Sequence, residues 1–301
     1  MTNTNFSESV RALLFGIVDY AGLFPPAMLS MSDAISNYAN YKSSNYNWML
    51  GRFVIPVARL DEFLDNARSF LPESKLNVWK LSVLASDDIS HTIRKIEDFN
   101  RANAPSVVCD SIEVKADTSG MIEEIAQAVP KNFAVYFELP LNENLADLIQ
   151  ALAIHGQRAK IRTGGVTADS FPKNEQIIRF MQTCLAANVP FKATAGLHYP
   201  LRCVKPLTYE KDALIGTMNG FLNVFLAAGF LQQGCQESLI KELLDDEQAE
   251  NFTFQADGIL WRQEYFIGTA QLKFLRKQSI VSFGSCSFEE PIADLKEIGI
   301  L

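Results

Sequence analysis

Much that marks a specialised chain is missing from this sequence. The five cysteines, Cys109, Cys184, Cys203, Cys235 and Cys286, are odd in number and scattered, with no CxxC pair, which argues against a disulfide framework and a structural zinc site. A reducing cytoplasm is the expected compartment. Basic residues are too few for a broad electrostatic footprint: 27 lysines and arginines face 35 acidic residues, a net charge of -8. Nucleic acid and anionic membrane are therefore not expected as partners, and any bound anion must be held locally. No basic segment precedes the first short apolar run, and no apolar stretch approaches the roughly 18 residues of a membrane span. GxGxxG, GxxxxGK[ST], short repeats and low-complexity tracts are absent as well.

What is present is a globular composition, 48% hydrophobic and 21% charged, and a rhythm that changes at residue 51. Before it, SESVRALLFGIVDY and SMSDAISNYANYKSS each open on a serine suited to helix capping, with AGLFPPAML kept irregular by its prolines. After it come eight strand-like stretches: GRFVIPV, KLNVWKLSVLA, SVVCDSIEVKA, FAVYFELPL, RAKIRTGG, PFKATAG, NFTFQAD and SIVSFGSCS. Amphipathic helical stretches separate them, ALIGTMNGFLNVFLAAGFLQQG and EYFIGTAQLKFLRKQ among them. Strands alternating with helices imply parallel pairing through right-handed crossovers, and eight such units over about 250 residues fit one barrel. The expectation is an α/β fold, an eight-stranded parallel (β/α)8 TIM-type barrel over residues 51–301, with residues 1–50 as an N-terminal helical extension packed on it. A doubly wound open sheet is the alternative. NFTFQAD can also open a hairpin at ADGILWR, and 235–248 reads as an extra helix.

In such a barrel the C-terminal strand ends build the active site and the remaining interior is packed with apolar side chains. Side chains two apart share a face. IEVKAD therefore offers Glu113, Lys115 and Asp117, FAVYFE offers Tyr136 and Glu138, RAKIR offers Lys160 and Arg162, and FKAT offers Lys192 and Thr194 with His198 just beyond. Carboxylates and cations interleaved on neighbouring strands would neutralise one another on burial. Thr163, Gly164 and Gly165 after Arg162, and Thr194 and Gly196 after Lys192, suggest an anion cradle of hydroxyls and close-approaching backbone, although loops leaving a barrel need glycines anyway. His198 suits proton transfer, whereas His91 and His155 fall on helical stretches as surface or packing residues. Cys286 reads as a small buried filler or a nucleophile. The loop VDYAGLFPPA can plug the barrel bottom or close over its mouth. No metal and no cofactor are expected; magnesium between Glu113 and Glu138 is left open.

The strand ends FKATAG and AKIRTGG resemble those of Schiff-base aldolases of the deoxyribose-phosphate type, over two strand ends. The resemblance implies that Lys160 is the amine that condenses with a carbonyl while Lys192 lowers its pKa, or the reverse. It departs from that family at Glu138 and in the arginine before TGG. The same ends faintly resemble barrel-type phosphoribosyltransferases. The functional expectation is a lyase acting on a small anionic, carbonyl-bearing metabolite, with Lys160, Lys192, Glu138 and His198 catalytic and Glu113, Lys115, Arg162, Thr163, Gly164, Gly165, Thr194 and Gly196 binding. An anion-recognising transferase and a metabolite-binding barrel without turnover are the alternatives, and a homo-oligomer is possible.

Overall fold

The computed structural model describes residues 6–72 and 77–301. Eight parallel strands close into a barrel: β1 (Val18–Tyr20), β2 (Leu50–Pro56), β3 (Trp79–Leu84), β4 (Val107–Lys115), β5 (Ala134–Glu138), β6 (Arg158–Arg162), β7 (Phe191–Thr194) and, far along the chain, β13 (Ile280–Ser285). β13 pairs with both β7 and β1, which closes the ring. The parallel barrel is thus the fold.

Helices follow the strands: α1 (Glu8–Leu14) and α2 (Met31–Ser43) flank β1, then α3 (Leu60–Ala67), α4 (Ile89–Asn103), α5 (Ser119–Ala128), α6 (Leu145–Ile154) and α7 (Asn174–Ala186) alternate with the sheet. Their starts are set by side chains that accept the orphan first-turn N–H groups, such as Ser7 from Val10, Ser30 from Asp33 and Asp88 from His91. Outward strand residues meet the helices in an apolar shell: Val83, Ile112, Phe137 and Phe283 are all buried. Phe283 stacks on Phe221 at 4.9 Å and Phe191 meets Phe180 edge-on at 5.4 Å. Burying each such side chain contributes about 1.5–3 kcal/mol.

Three sequence expectations are corrected. The segment before residue 51 is more than helical, because Val18–Tyr20 supplies a barrel strand between its two helices. NFTFQAD is not a barrel strand: β10 (Phe252–Phe254), β11 (Gly258–Trp261) and β12 (Tyr265–Gly268) form an antiparallel sheet beside the barrel. The long helix read over 213–234 is helical only as α8 (Phe221–Gln232); Ile215–Met218 is instead β9, which pairs antiparallel with β8 (Cys203–Pro206). Five short strands, β8–β12, and three helices, α8, α9 (Glu237–Leu244) and α10 (Thr269–Gln278), therefore separate β7 from β13, and α11 (Glu289–Glu297) follows β13. The first residues of KLNVWKLSVLA, 75 and 76, lie outside the described residues.

Candidate functional site

Strand alternation carries the interior side chains, and these are polar where apolar layers are the usual filling. Across the barrel, Lys192 of β7 reaches Glu113 of β4 at 2.5 Å, Asp19 of β1 at 3.2 Å and Ser82 of β3 at 3.3 Å. Ser282 of β13 donates to the same Asp19 oxygen at 2.8 Å, and the other oxygen accepts the backbone N–H of Arg52 at 2.8 Å. Lys160 of β6 lies between the second oxygen of Glu113 and Glu138, 2.8 Å from each. Arg162 extends the chain of pairs to the rim, 3.1 Å from Glu138. Below, the Lys192 ammonium sits 4.6 Å from the centre of the Tyr136 ring. The expected apolar interior is thus replaced by one network of charged and hydroxyl side chains from seven of the eight strands, in which Glu113 bridges two ammonium groups.

The network is dry. Glu113, Lys160, Lys192 and Asp19 are at most 5% exposed. Burial pushes the Glu113 carboxyl up, yet the charges of Lys160 and Lys192 outweigh it and hold the group well below the usual carboxylate range. Glu138 is lowered by the same balance. Burial alone would lower Lys192, but the carboxylates of Glu113 and Asp19 raise it above an ordinary lysine. This corrects the expectation that a neighbouring lysine makes Lys192 easier to deprotonate: its contacts with Glu113 and Asp19 dominate.

Above the network opens a cavity of about 840 Å³ at the C-terminal strand ends. Glu113, Lys115, Glu138, Lys160, Arg162, Lys192, Thr194, Gly165, Gly196 and His198 all line it. Thr163 and Gly164 do not. The Thr163 hydroxyl is buried and donates to the Ala195 carbonyl at 2.6 Å. A Cβ on Gly164 would come within 2.7 Å of the Gly196 Cα, and Gly196 itself holds a positive φ of 74°. These glycines let the β6 and β7 exits pass each other closely, so part of the expected anion cradle is loop packing. Asp117 faces a neighbouring cavity that shares Lys115, Glu138 and Arg162 as its wall.

Sequence reasoning missed the inward place of Asp19 on a strand, Ser82, and Tyr136's place under Lys192. The glycine that ends α1, Gly16 at φ 58°, followed by IVDY is the signal that locates Asp19 in a strand. The loop after it answers an open question: Ala21, Phe24, Pro25 and Pro26 line the cavity, so this segment lies at the mouth. Among the described residues, no group of three or more His, Cys, Asp or Glu side chains is placed to hold a metal ion. Nor is any described helix long and apolar enough to cross a membrane. No model of a known protein family matches the chain, and no curated protein is significantly similar to it.

Proposed function

We propose that the chain is an enzyme acting on a small anionic, carbonyl-bearing metabolite, an aldolase-type lyase that passes through a lysine imine or an enolate. The observation that carries this reading is Lys160, bracketed at 2.8 Å by two carboxylates at the floor of the cavity while Lys192 occupies the remaining oxygen of Glu113. Ammonium groups fixed beside a cavity are preorganised to stabilise negative charge that develops on a bound ligand.

The two lysines differ in what they can do. Lys192 is held as an ammonium and suits electrostatic stabilisation of a developing enolate oxygen. Lys160 has two proton acceptors at contact distance, so it can pass a proton to Glu138 and attack the substrate carbonyl as the free amine. Loss of water then leaves an iminium that takes up the electron pair of the breaking C–C bond. Arg162 and Lys115 at the rim suit a carboxylate or phosphate. A cytoplasmic location belongs to the same reading, supported by five cysteines that are all free; self-association is left to direct measurement.

Borohydride reduction in the presence of candidate aldehydes and keto acids, followed by peptide mass mapping, tests it. Added mass at Lys160 supports the imine, and solvent deuterium entering the keto acid without trapping supports the enolate. A protein that neither traps nor exchanges is not this kind of enzyme.

A further inference from the structure

At the exits of β7 and β13, neighbours in the barrel, four side chains from four separate elements meet at the cavity wall. Cys286 stands one residue past β13, His198 in the loop after β7, Glu290 in the first turn of α11 and Tyr209 in the loop of the β8–β9 hairpin. The His198 Nδ1 is 3.8 Å from the Cys286 sulfur and 3.8 Å from a Glu290 oxygen. The Tyr209 hydroxyl donates to Glu290 at 2.8 Å and stands 3.7 Å from the same sulfur. Cys286 and His198 line the main cavity, and His198, Tyr209 and Glu290 also line a smaller one of about 280 Å³ beside it. His198 is thus the partition between the two.

We propose that Cys286 and His198 are the proton-transfer pair of this site, with Tyr209 and Glu290 as the positioning residues that hold them. The inference rests on the lyase reading above and supplies what the lysine network lacks, a neutral acid and a neutral base. Burial raises the thiol to about 11 and lowers the imidazole, so the pair rests as S–H and free ring nitrogen. Tyr20 of β1, Tyr41 of α2, Tyr199 beside His198, and Glu289 and Asp294 of α11 are further titratable groups that face this corner.

The proton count closes. The substrate hydroxyl gives its proton to His198 as the C–C bond breaks, and the electron pair stays on the carbon next to the carbonyl. Cys286 gives its S–H proton to that carbon. The imidazolium proton then crosses to the thiolate, and both groups return to their starting forms. The hairpin explains its own presence here, since it carries Tyr209 over the pair from outside the barrel.

Two measurements on the full chain test this. The first is iodoacetamide alkylation followed by peptide mapping at one mildly alkaline pH, with Cys203 and Cys235 as internal references. Cys286 should alkylate, more slowly in His198→Gln and in Tyr209→Phe, while the references keep their rates. The second uses pyruvate and 2-oxobutyrate, following trapping at Lys160 by borohydride and proton exchange into deuterated solvent by NMR. Cys286→Ala should keep the trapping and lose about 10²-fold in exchange, and Cys286→Ser, which preserves size, should behave likewise. Exchange unchanged in both Cys286 variants and in His198→Gln overturns the pair, as does an alkylation rate indifferent to His198. If the wild type neither traps nor exchanges, the lyase reading itself has failed and the inference falls with it.

Discussion

Glu113 and Asp246 are both carboxylates removed from water, 5% and 6% exposed, yet they are held by different kinds of partner. Asp246, beside the small antiparallel sheet, accepts from the Trp261 indole at 2.8 Å, from the Asn251 amide at 2.8 Å and from the Gln248 backbone at 3.0 Å. The donors at hydrogen-bond distance are neutral or backbone groups that tie a loop and a strand together, with the Arg262 guanidinium farther off at 3.7 Å. Glu113 is held by Ser82 at 2.7 Å and by two lysines, and a cavity opens beside it. Burial satisfied mainly by neutral donors stabilises the fold, whereas burial satisfied by opposite charges beside a cavity leaves groups that a ligand can recruit.

The sharpest way to break this contrast is Glu113→Gln. It leaves two ammonium groups without their shared carboxylate and should lower stability by about 3–5 kcal/mol in denaturant unfolding. The pH dependence should also weaken. In the wild type the Glu113 carboxyl is held low, so its contribution is complete above about pH 4.3 and is lost as pH falls through the folded value. Lys192 is raised, so its contribution is complete below about pH 10.4 and is lost as pH rises through the higher folded value. In the variant Asp19 alone opposes the burial of Lys192, so the acid loss carried by Glu113 should vanish and the Lys192 contribution should shrink. Wild-type and variant profiles of the same shape would mean that the pair is not coupled.

Next in size, Asp246→Ala leaves the Trp261 and Asn251 donors unsatisfied and should cost about 2–3 kcal/mol, with trapping at Lys160 unaffected. Lys192→Met should do the reverse. Stem and volume are kept and Glu113 and Asp19 can take up protons, so stability should change by about 1 kcal/mol or improve, while turnover falls at least about 10²-fold. An unfolded Lys192→Met protein would make this lysine structural. Smallest is Arg162→Gln, whose half-exposed ion pair should be worth no more than about 0.5 kcal/mol in stability, with the loss appearing as weaker anion affinity in calorimetry.

The strand ends of β4 to β7 were legible in the sequence because a charge two residues from another shares its face whatever the rest of the fold does. Lys160 with Arg162, and Glu113 with Lys115, needed nothing more. Three residues, Val18–Tyr20, are too few to show a period, and helical patterns on both sides hid the strand that brings Asp19 inside. NFTFQAD looked like a barrel strand because apolar and β-branched residues favour parallel and antiparallel pairing alike. The Cys286–His198 contact joins residues 88 apart in the chain, and only closure of the barrel between β7 and β13 brings them together. Ser82 gave no sign of its place, since a serine inside a polar barrel reads like one on a surface.

The central claim is that the charged interior exists to receive a ligand, and ligand-induced stabilisation reads this directly. Thermal melts of the wild type and of Lys192→Met should be taken with a panel of small keto acids and sugar phosphates. At roughly a hundredfold excess over its Kd, a bound member stabilises the wild type by about 2.7 kcal/mol. The account predicts such a shift in the wild type with at least one carbonyl-bearing anion, and its loss in Lys192→Met. Equal shifts in both proteins, or none in either, would contradict it.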